Sequence, residues 1–261
     1  MSQNKKKPIK KSSNAVTVVS LILLCLVIAG VVVAVLYNLG VFDKPVMPAE
    51  TETETERNPD GLSALELTAA TAEDTVDIAK VKVSETPTDY CMISVKNFGV
   101  MVVKLDADNA PITVAHFQDL VANKFYDDLT FHRVVKSFMI QGGGYTTSGN
   151  KKDAGESIKG EFTENGVDNQ LAHTRGVISM ARVGGMNDSA TSEFFIVTQT
   201  SANNTASLDG KYASFGKLVY GYSTLDKIAA VSCSANPNMN NEVSKPNEQL
   251  LIESVQFVTV D

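Results

Sequence analysis

The sequence predicts a mainly β domain, folded as a closed antiparallel barrel capped by two helices, behind an N-terminal transmembrane helix. Many short apolar runs separated by turn residues indicate strands, whereas helical spacing of apolar residues occurs in only two places. One long uncharged apolar run lies near the N-terminus. Closure into a barrel is favoured because it leaves no unpaired strand edges.

The N-terminal apolar run is long enough to cross a membrane. Residues 15–37 carry no charge and are rich in Val, Leu and Ile. At about 1.5 Å per residue such a helix spans about 35 Å, enough for a hydrocarbon core of about 30 Å. Residues 1–14 contain five lysines, so the positive-inside rule places this tail in the cytoplasm. We therefore expect a single-pass cell-membrane protein whose remaining chain is extracytoplasmic.

A cleaved signal peptide is the alternative for the same segment. The site Val32-Val33-Ala34 suits cleavage poorly, and the apolar run exceeds the 7–15 residues of a typical signal core, so a retained anchor is favoured. Leu24 precedes Cys25, where bacterial lipoprotein signals carry a small residue, so lipidation is not expected.

Residues 38–88 are predicted to form an acidic flexible linker. They contain Pro45, Pro48, a Thr-Glu repeat at 51–56 and a turn-forming segment at 58–61. Such a composition is typical of a solvated spacer that holds a domain away from the membrane. A specific acidic recognition tail is the alternative.

Residues 89–261 are predicted to form the folded domain. A first helix begins at Pro111, with apolar residues at Val114, Phe117 and Leu120, and a second covers 224–231 behind the N-cap Ser223. Besides a hairpin within 131–144, the predicted strands are 91–95, 100–105, 176–181, 193–198, 214–219 and 250–258. Cys91 and Cys233 match no zinc motif; they are either paired or free.

The hairpin at 131–144 carries the most specific signal. Two apolar runs flank the two-residue polar turn Lys136-Ser137, and glycines follow. Arg133 occupies a strand position that another Val or Ile would normally take, and Phe138, Met139 and Gln141 come soon after it. The segment offers a fixed cation, an amide and an apolar surface. The alternative is that Arg133 is an ordinary residue at the rim of a sheet.

This hairpin resembles the signature hairpin of the cyclophilins, the peptidyl-prolyl cis/trans isomerases. Residues 173–182, followed by 192–196, resemble the central block of that family, and residues 207–216 contain its Leu-Asp-Gly-Lys element. The three blocks stand in the family's order and spacing, and the resemblance covers about residues 89–260. It implies an isomerase of the cyclophilin type, and together with the N-terminal apolar run it indicates a membrane-anchored bacterial form.

The resemblance also implies roles for individual residues. Arg133 would be the catalytic cation, and Gln141 would orient it. Glu193 stands where relatives commonly carry Gln, and it would either compete for the donors of Arg133 or orient Arg133 more firmly. The implied substrate-binding residues, counting the backbone of Ala181 and Arg182, are Phe138, Met139, Ala181, Arg182, Glu193, Phe195, Leu208 and Tyr212, the last at a position where many relatives carry histidine.

Such an isomerase needs no metal, cofactor or nucleophile. The histidines show no triad or metal-ligand spacing, and His132 and His173 are interpreted as structural. The net charge of −7 and the lack of a basic stripe argue against nucleic-acid binding. The expected partners are proline-containing unfolded or nascent secreted polypeptides, and the membrane through the N-terminal helix. The alternatives are a catalytically weak proline-binding module or holdase, with turnover reduced by Glu193, and a structural envelope protein.

Overall fold

The computed structural model describes residues 71–261. Its helices are α1 (Pro111–Ala122), α2 (Ala202–Leu208) and α3 (Tyr222–Ala229). Its strands are β1 (Val81–Ser84), β2 (Tyr90–Val95), β3 (Gly99–Leu105), β4 (Leu129–Val135), β5 (Met139–Thr146), β6 (Val177–Met180), β7 (Phe194–Val197), β8 (Ser214–Tyr220), β9 (Cys233–Asn236), β10 (Glu242–Pro246) and β11 (Leu251–Val260).

Eight strands form a closed antiparallel barrel in the order β11-β2-β3-β8-β6-β7-β5-β4. Pairing of β4 with β11, through Thr130 with Leu251 and Leu129 with Ile252, completes the ring. The strand β1 adds to β11 outside the ring, while β9 and β10 pair only with each other as a separate hairpin. The predicted closed antiparallel barrel is confirmed.

The barrel interior is filled by aromatic rings around Phe194. Its ring centroid lies 5.9 Å from Phe117 of α1, 5.5 Å from Tyr126 and 5.8 Å from Phe131. Successive side chains of a strand point to opposite faces, so the next residue of β7, Phe195, faces outward. Phe195 packs in a separate apolar cluster outside the barrel. Strand β7 therefore links the core to the outer surface on which the candidate site lies.

The prediction of two helices is wrong, because α2 is a third. Its sequence, Ala-Asn-Asn-Thr-Ala-Ser-Leu, has no apolar stripe, and its start is stabilised by Ser201, whose side chain accepts from Asn204 N at 3.1 Å. The helix predicted at 224–231 begins at Tyr222, after Gly221 in a left-handed conformation (φ 96°). Burial of the Tyr222 ring draws this residue into the first turn, so Ser223 is not the N-cap.

Part of the predicted linker is folded. Residues 81–84 form β1, and Val81 packs with Met92, Val102 and Val258 in a small cluster on the outside of the barrel. The folded part of the chain therefore begins before residue 89. The hairpin of β9 and β10 was also not predicted, because its strands lack alternating apolar residues.

Residues 1–70, with the predicted membrane helix at 15–37, lie outside the described part of the chain. Between residues 71 and 261, no helix is long and apolar enough to span a membrane. Cys91 and Cys233 are free thiols, which decides between the two alternatives left open by the sequence. Burial raises the pKa of Cys91 to about 12, so this thiol is unreactive at neutral pH.

Truncation of Phe194, whose aromatic ring lies at the centre of the core, should destabilise the barrel strongly. Because Phe194 is fully buried among other rings, we expect Phe194→Ala to lower the free energy of unfolding by about 3–5 kcal/mol. The exposed Val183→Ala is the control and should change it by less than about 0.5 kcal/mol. Urea denaturation measures both; similar losses in the two variants would contradict this description of the core.

Candidate active site

The β4–β5 hairpin brings Arg133 and Gln141 together. The two residues are paired across the strands, and Arg133 Nη1 donates to Gln141 Oε1 at 3.0 Å. The predicted two-residue turn is wrong: Val135 pairs with Met139, so Lys136, Ser137 and Phe138 form a three-residue connection. Ser137 takes the left-handed conformation (φ 60°), which is usual for one residue of such a loop. Phe138 therefore lies in the turn.

A second residue, Glu242, holds Arg133 from another side. Arg133 Nε donates to Glu242 Oε2 at 2.8 Å, and Nη2 donates to Oε1 at 2.9 Å. This is the two-point pairing for which guanidinium and carboxylate geometries match. The Arg133 side chain is 21% exposed, so it is held in place yet still reaches solvent. Glu242 opens β10, and the sequence analysis did not identify it.

Glu193 acts on Arg133 through Gln141. Gln141 Nε2 donates to Glu193 Oε2 at 3.0 Å. An ionised carboxylate only accepts hydrogen bonds, so the nitrogen of the Gln141 amide must face Glu193. The oxygen of the same amide then faces Arg133. Among the hydrogen bonds between residues 71 and 261, none joins Glu193 directly to Arg133. Of the two alternatives for Glu193, the geometry favours orientation over competition.

The charge of Glu193 is balanced on its other side. Lys151 Nζ lies 3.2 Å from Oε1, and His132 Nε2 lies 3.4 Å from Oε2. Burial raises the pKa of this carboxyl, but the neighbouring His132 and Lys151 side chains outweigh burial and lower the pKa to about 2. A Cβ atom on Gly144 would collide with the Glu193 side chain, so glycine makes room for it. Glu193 is therefore ionised at neutral pH.

The apolar residues predicted to bind substrate form one cluster, here called the outer apolar cluster. It is separate from the barrel interior, and its buried members lie beneath partly exposed ones. Val135 and Val197 belong to it, although the sequence analysis did not identify them. The predicted residues that the structure brings together there are Phe138, Met139, Ala181, Phe195, Leu208 and Tyr212.

Arg182 packs against the edge of this cluster through its side chain. Its guanidinium carbon lies 4.8 Å from the ring centroid of Tyr212 and 5.2 Å from that of Phe162, and its Nε donates to Lys211 O at 2.9 Å. The backbone N–H of Ala181 donates to Glu193 O at 2.8 Å. That N–H is thus used inside the protein, and it is not free to hold a peptide.

His173 lies beneath Phe195 and joins two of the three sequence blocks. Its Nδ1 is 2.8 Å from Asp209 Oδ1, and its Nε2 is 2.9 Å from Ser179 Oγ. The spacing in the sequence did not reveal this Asp-His-Ser series. Ser179 is fully buried, so its hydroxyl does not reach a peptide, and the series is structural. Burial lowers the pKa of His173, against the opposing effect of Asp209.

Known proteins share both the sequence pattern and the fold. Residues 90–256 match the family described as "Cyclophilin type peptidyl-prolyl cis-trans isomerase/CLD". A peptidyl-prolyl cis-trans isomerase of Acinetobacter baylyi is 40% identical over 172 residues, which cover 65% of this chain and 87% of that protein. Peptidyl-prolyl cis-trans isomerase B of Escherichia coli is 39% identical over 163 residues, which cover 61% of this chain and 94% of that protein.

A solved structure is similar as well. The crystal structure of a Cryptosporidium parvum cyclophilin type peptidyl-prolyl cis-trans isomerase, determined in the presence of the dipeptide Ala-Pro, superposes with a TM-score of 0.50 at 25% identity. The superposition covers 64% of this chain and 98% of that one. The similarity therefore spans nearly all of the neighbouring structure.

Glu193→Gln should make folding less sensitive to acid. The pKa of Glu193 is lowered from 4.5 to about 2 in the folded protein, so between these values the unfolded chain binds the additional proton. The stability that the Glu193 carboxylate contributes is fully present above the pKa that it has in the unfolded chain. It is lost as the pH falls toward the lower pKa that it has in the folded protein. Between about pH 5 and about pH 2 the unmodified protein should lose on the order of 3 kcal/mol more than Glu193→Gln.

Urea denaturation across this pH range measures the difference. The control is Glu156→Gln, at an exposed position, which should follow the unmodified protein. If the free energy of unfolding depended on pH in the same way for the unmodified protein and for Glu193→Gln, the proposed balance of charges around Glu193 would be contradicted.

Proposed function

The chain belongs to the cyclophilin-type peptidyl-prolyl cis-trans isomerase family, and we propose that Arg133 catalyses isomerisation by donating a hydrogen bond to the prolyl nitrogen of the twisted peptide bond. The chain is a peptidyl-prolyl cis-trans isomerase, as its relatives are consistently named.

The reaction needs a donor that acts only on the twisted bond. An amide resists rotation with a barrier of about 18–20 kcal/mol because rotation removes its resonance. At the twisted geometry the prolyl nitrogen regains its lone pair and becomes a hydrogen-bond acceptor. A donor aimed at that nitrogen stabilises the transition state more than either planar isomer, which lowers the barrier.

The arrangement of Arg133 supports this role. A guanidinium has five N–H donors, and Arg133 gives three of them to Glu242 and Gln141. Within the described residues this leaves one N–H on each terminal nitrogen. The same hairpin supplies Val135, Phe138 and Met139 to the outer apolar cluster, a suitable surface for a proline ring. Arg133 is thus a fixed cation with free donors beside an apolar surface, which is what a catalyst of proline isomerisation requires.

Arg133→Ala should therefore abolish most of the catalysis. By analogy with the loss of one transition-state donor, we expect kcat/KM for a short X–Pro peptide to fall by about 10²–10³-fold. The matched control is Arg175→Ala, which removes an arginine paired with Glu73 and Asp226 on another part of the barrel. Arg175→Ala should stay within about threefold of the unmodified protein. Equal rates for Arg133→Ala and the unmodified protein would contradict the proposal.

The same assay addresses the alternative of a proline-binding module. If the unmodified protein bound the peptide without accelerating its exchange, the domain would be a binding module. Because Glu193 contacts Gln141, its negative charge does not explain such a loss by direct competition for Arg133.

We further propose that the domain acts outside the cytoplasm on proline-containing unfolded or newly secreted polypeptides. The support comes from the sequence: the uncharged run at 15–37, the preceding lysines and the acidic segment that follows. Anchoring would concentrate the enzyme near chains that emerge across the membrane.

Protease added to intact cells tests this location. It should cleave the segment between residues 38 and 70 and release a folded fragment that carries a C-terminal epitope. An N-terminal epitope should stay protected until the membrane is broken. Protection of the C-terminal epitope in intact cells would contradict the extracytoplasmic location.

A further inference from the structure

The separate β9–β10 hairpin lies beside the strand that carries Arg133. The thiol of Cys233, the first residue of β9, donates to Val134 O of β4 at 3.7 Å. Between the two strands the chain turns through a short helix at Pro237–Met239 and through Asn240 and Asn241, both left-handed (φ 50° and 60°). This turn returns the chain so that Glu242 pairs with Asn236 and opens β10. Glu242 is thus presented by an ordered turn.

We propose that Glu242 is a positioning residue for catalysis, which fixes the plane of the Arg133 guanidinium so that its free N–H groups face the prolyl nitrogen. The inference rests on the proposed role of Arg133. Glu242 binds Nε and Nη2, while Gln141 binds Nη1, so the guanidinium is held on two sides. Either contact alone would leave rotation of the guanidinium less restricted.

Positioning fits the chemistry better than inhibition by Glu242. The acceptor in the transition state is the lone pair of a neutral nitrogen, so the direction of the N–H group matters more than the net positive charge. Partial neutralisation of the Arg133 charge by Glu242 therefore weakens stabilisation of the transition state only slightly. A fixed direction of the N–H groups means that the guanidinium need not reorient during the reaction. The hydrogen bond from Arg133 lowers the pKa of Glu242, so the pair is ionised at neutral pH.

A role in stability alone does not account for this pair. Glu242 is 35% exposed, so solvent screens part of what its pairing with Arg133 contributes to folding. Removal of the carboxylate should therefore leave the protein folded, and any change in turnover reports on Arg133.

The test measures kcat and KM for Glu242→Ala, with Glu248→Ala as the control, because Glu248 is an exposed glutamate near the same hairpin. We expect Glu242→Ala to lower kcat on the order of tenfold with KM within about twofold, because it misaligns the donor without removing the apolar surface. Glu242→Gln keeps the shape of the side chain and one acceptor oxygen, so its kcat should lie between those of the unmodified protein and Glu242→Ala. Glu248→Ala should be unchanged.

A double-mutant cycle separates positioning from a general structural effect. In the Arg133→Ala background, Glu242→Ala should cause no further loss of kcat, since the guanidinium that Glu242 positions is absent. A tenfold loss in both backgrounds, or an unchanged or raised kcat in Glu242→Ala and Glu242→Gln, would overturn the proposal. If Arg133→Ala itself retained full activity, the proposed function of Arg133 would fail first, and the single-variant comparison would show it.

Discussion

Pairing of β4 with β11 closes the barrel, and the site depends on that closure. A two-stranded hairpin alone is at best marginally stable in water. Here the start of β4 is paired with the last strand, while β5 pairs with β7 through Gln141 and Phe195, among others. The hairpin that carries Arg133 thus has hydrogen-bonded neighbours on both sides. Its register brings Gln141 next to Glu193, the residue before β7, and the outer face of β7 supplies Phe195 to the apolar cluster.

The charged groups of the site form a series in which each has a partner. Arg133 lies between Glu242 and the amide of Gln141, Gln141 lies between Arg133 and Glu193, and Glu193 is paired with Lys151 and lies beside His132. Such a series costs less to bury than isolated charges, because each of its charged side chains has a partner of opposite charge. The series fixes the orientation of the Arg133 guanidinium and of the Gln141 amide. This suits a reaction in which no charge is transferred.

Much of this site could be predicted from sequence because its residues lie in three local blocks. Arg133 and Gln141 are eight residues apart and meet across one hairpin, and the alternation of Phe194 and Phe195 follows from strand geometry. Glu242 could not be found in this way, since it is 109 residues from Arg133 and its strand lacks an alternating apolar pattern. Helix α2 was missed for a related physical reason: a capping hydrogen bond and tertiary packing stabilise it, and it has no apolar stripe.

Catalysis by Arg133 requires that its hydrogen bond stabilises the twisted bond and hardly affects the planar isomers. Exchange NMR on a proline peptide measures binding of each planar isomer and the cis–trans exchange rate on the enzyme in the same sample. We expect Arg133→Ala to change the affinity for both isomers by less than about threefold, while the exchange rate on the enzyme falls by about a hundredfold or more. A loss of affinity that explains the whole loss of rate would instead show that Arg133 binds substrate and transition state equally, and Arg133 would then not be the catalytic donor.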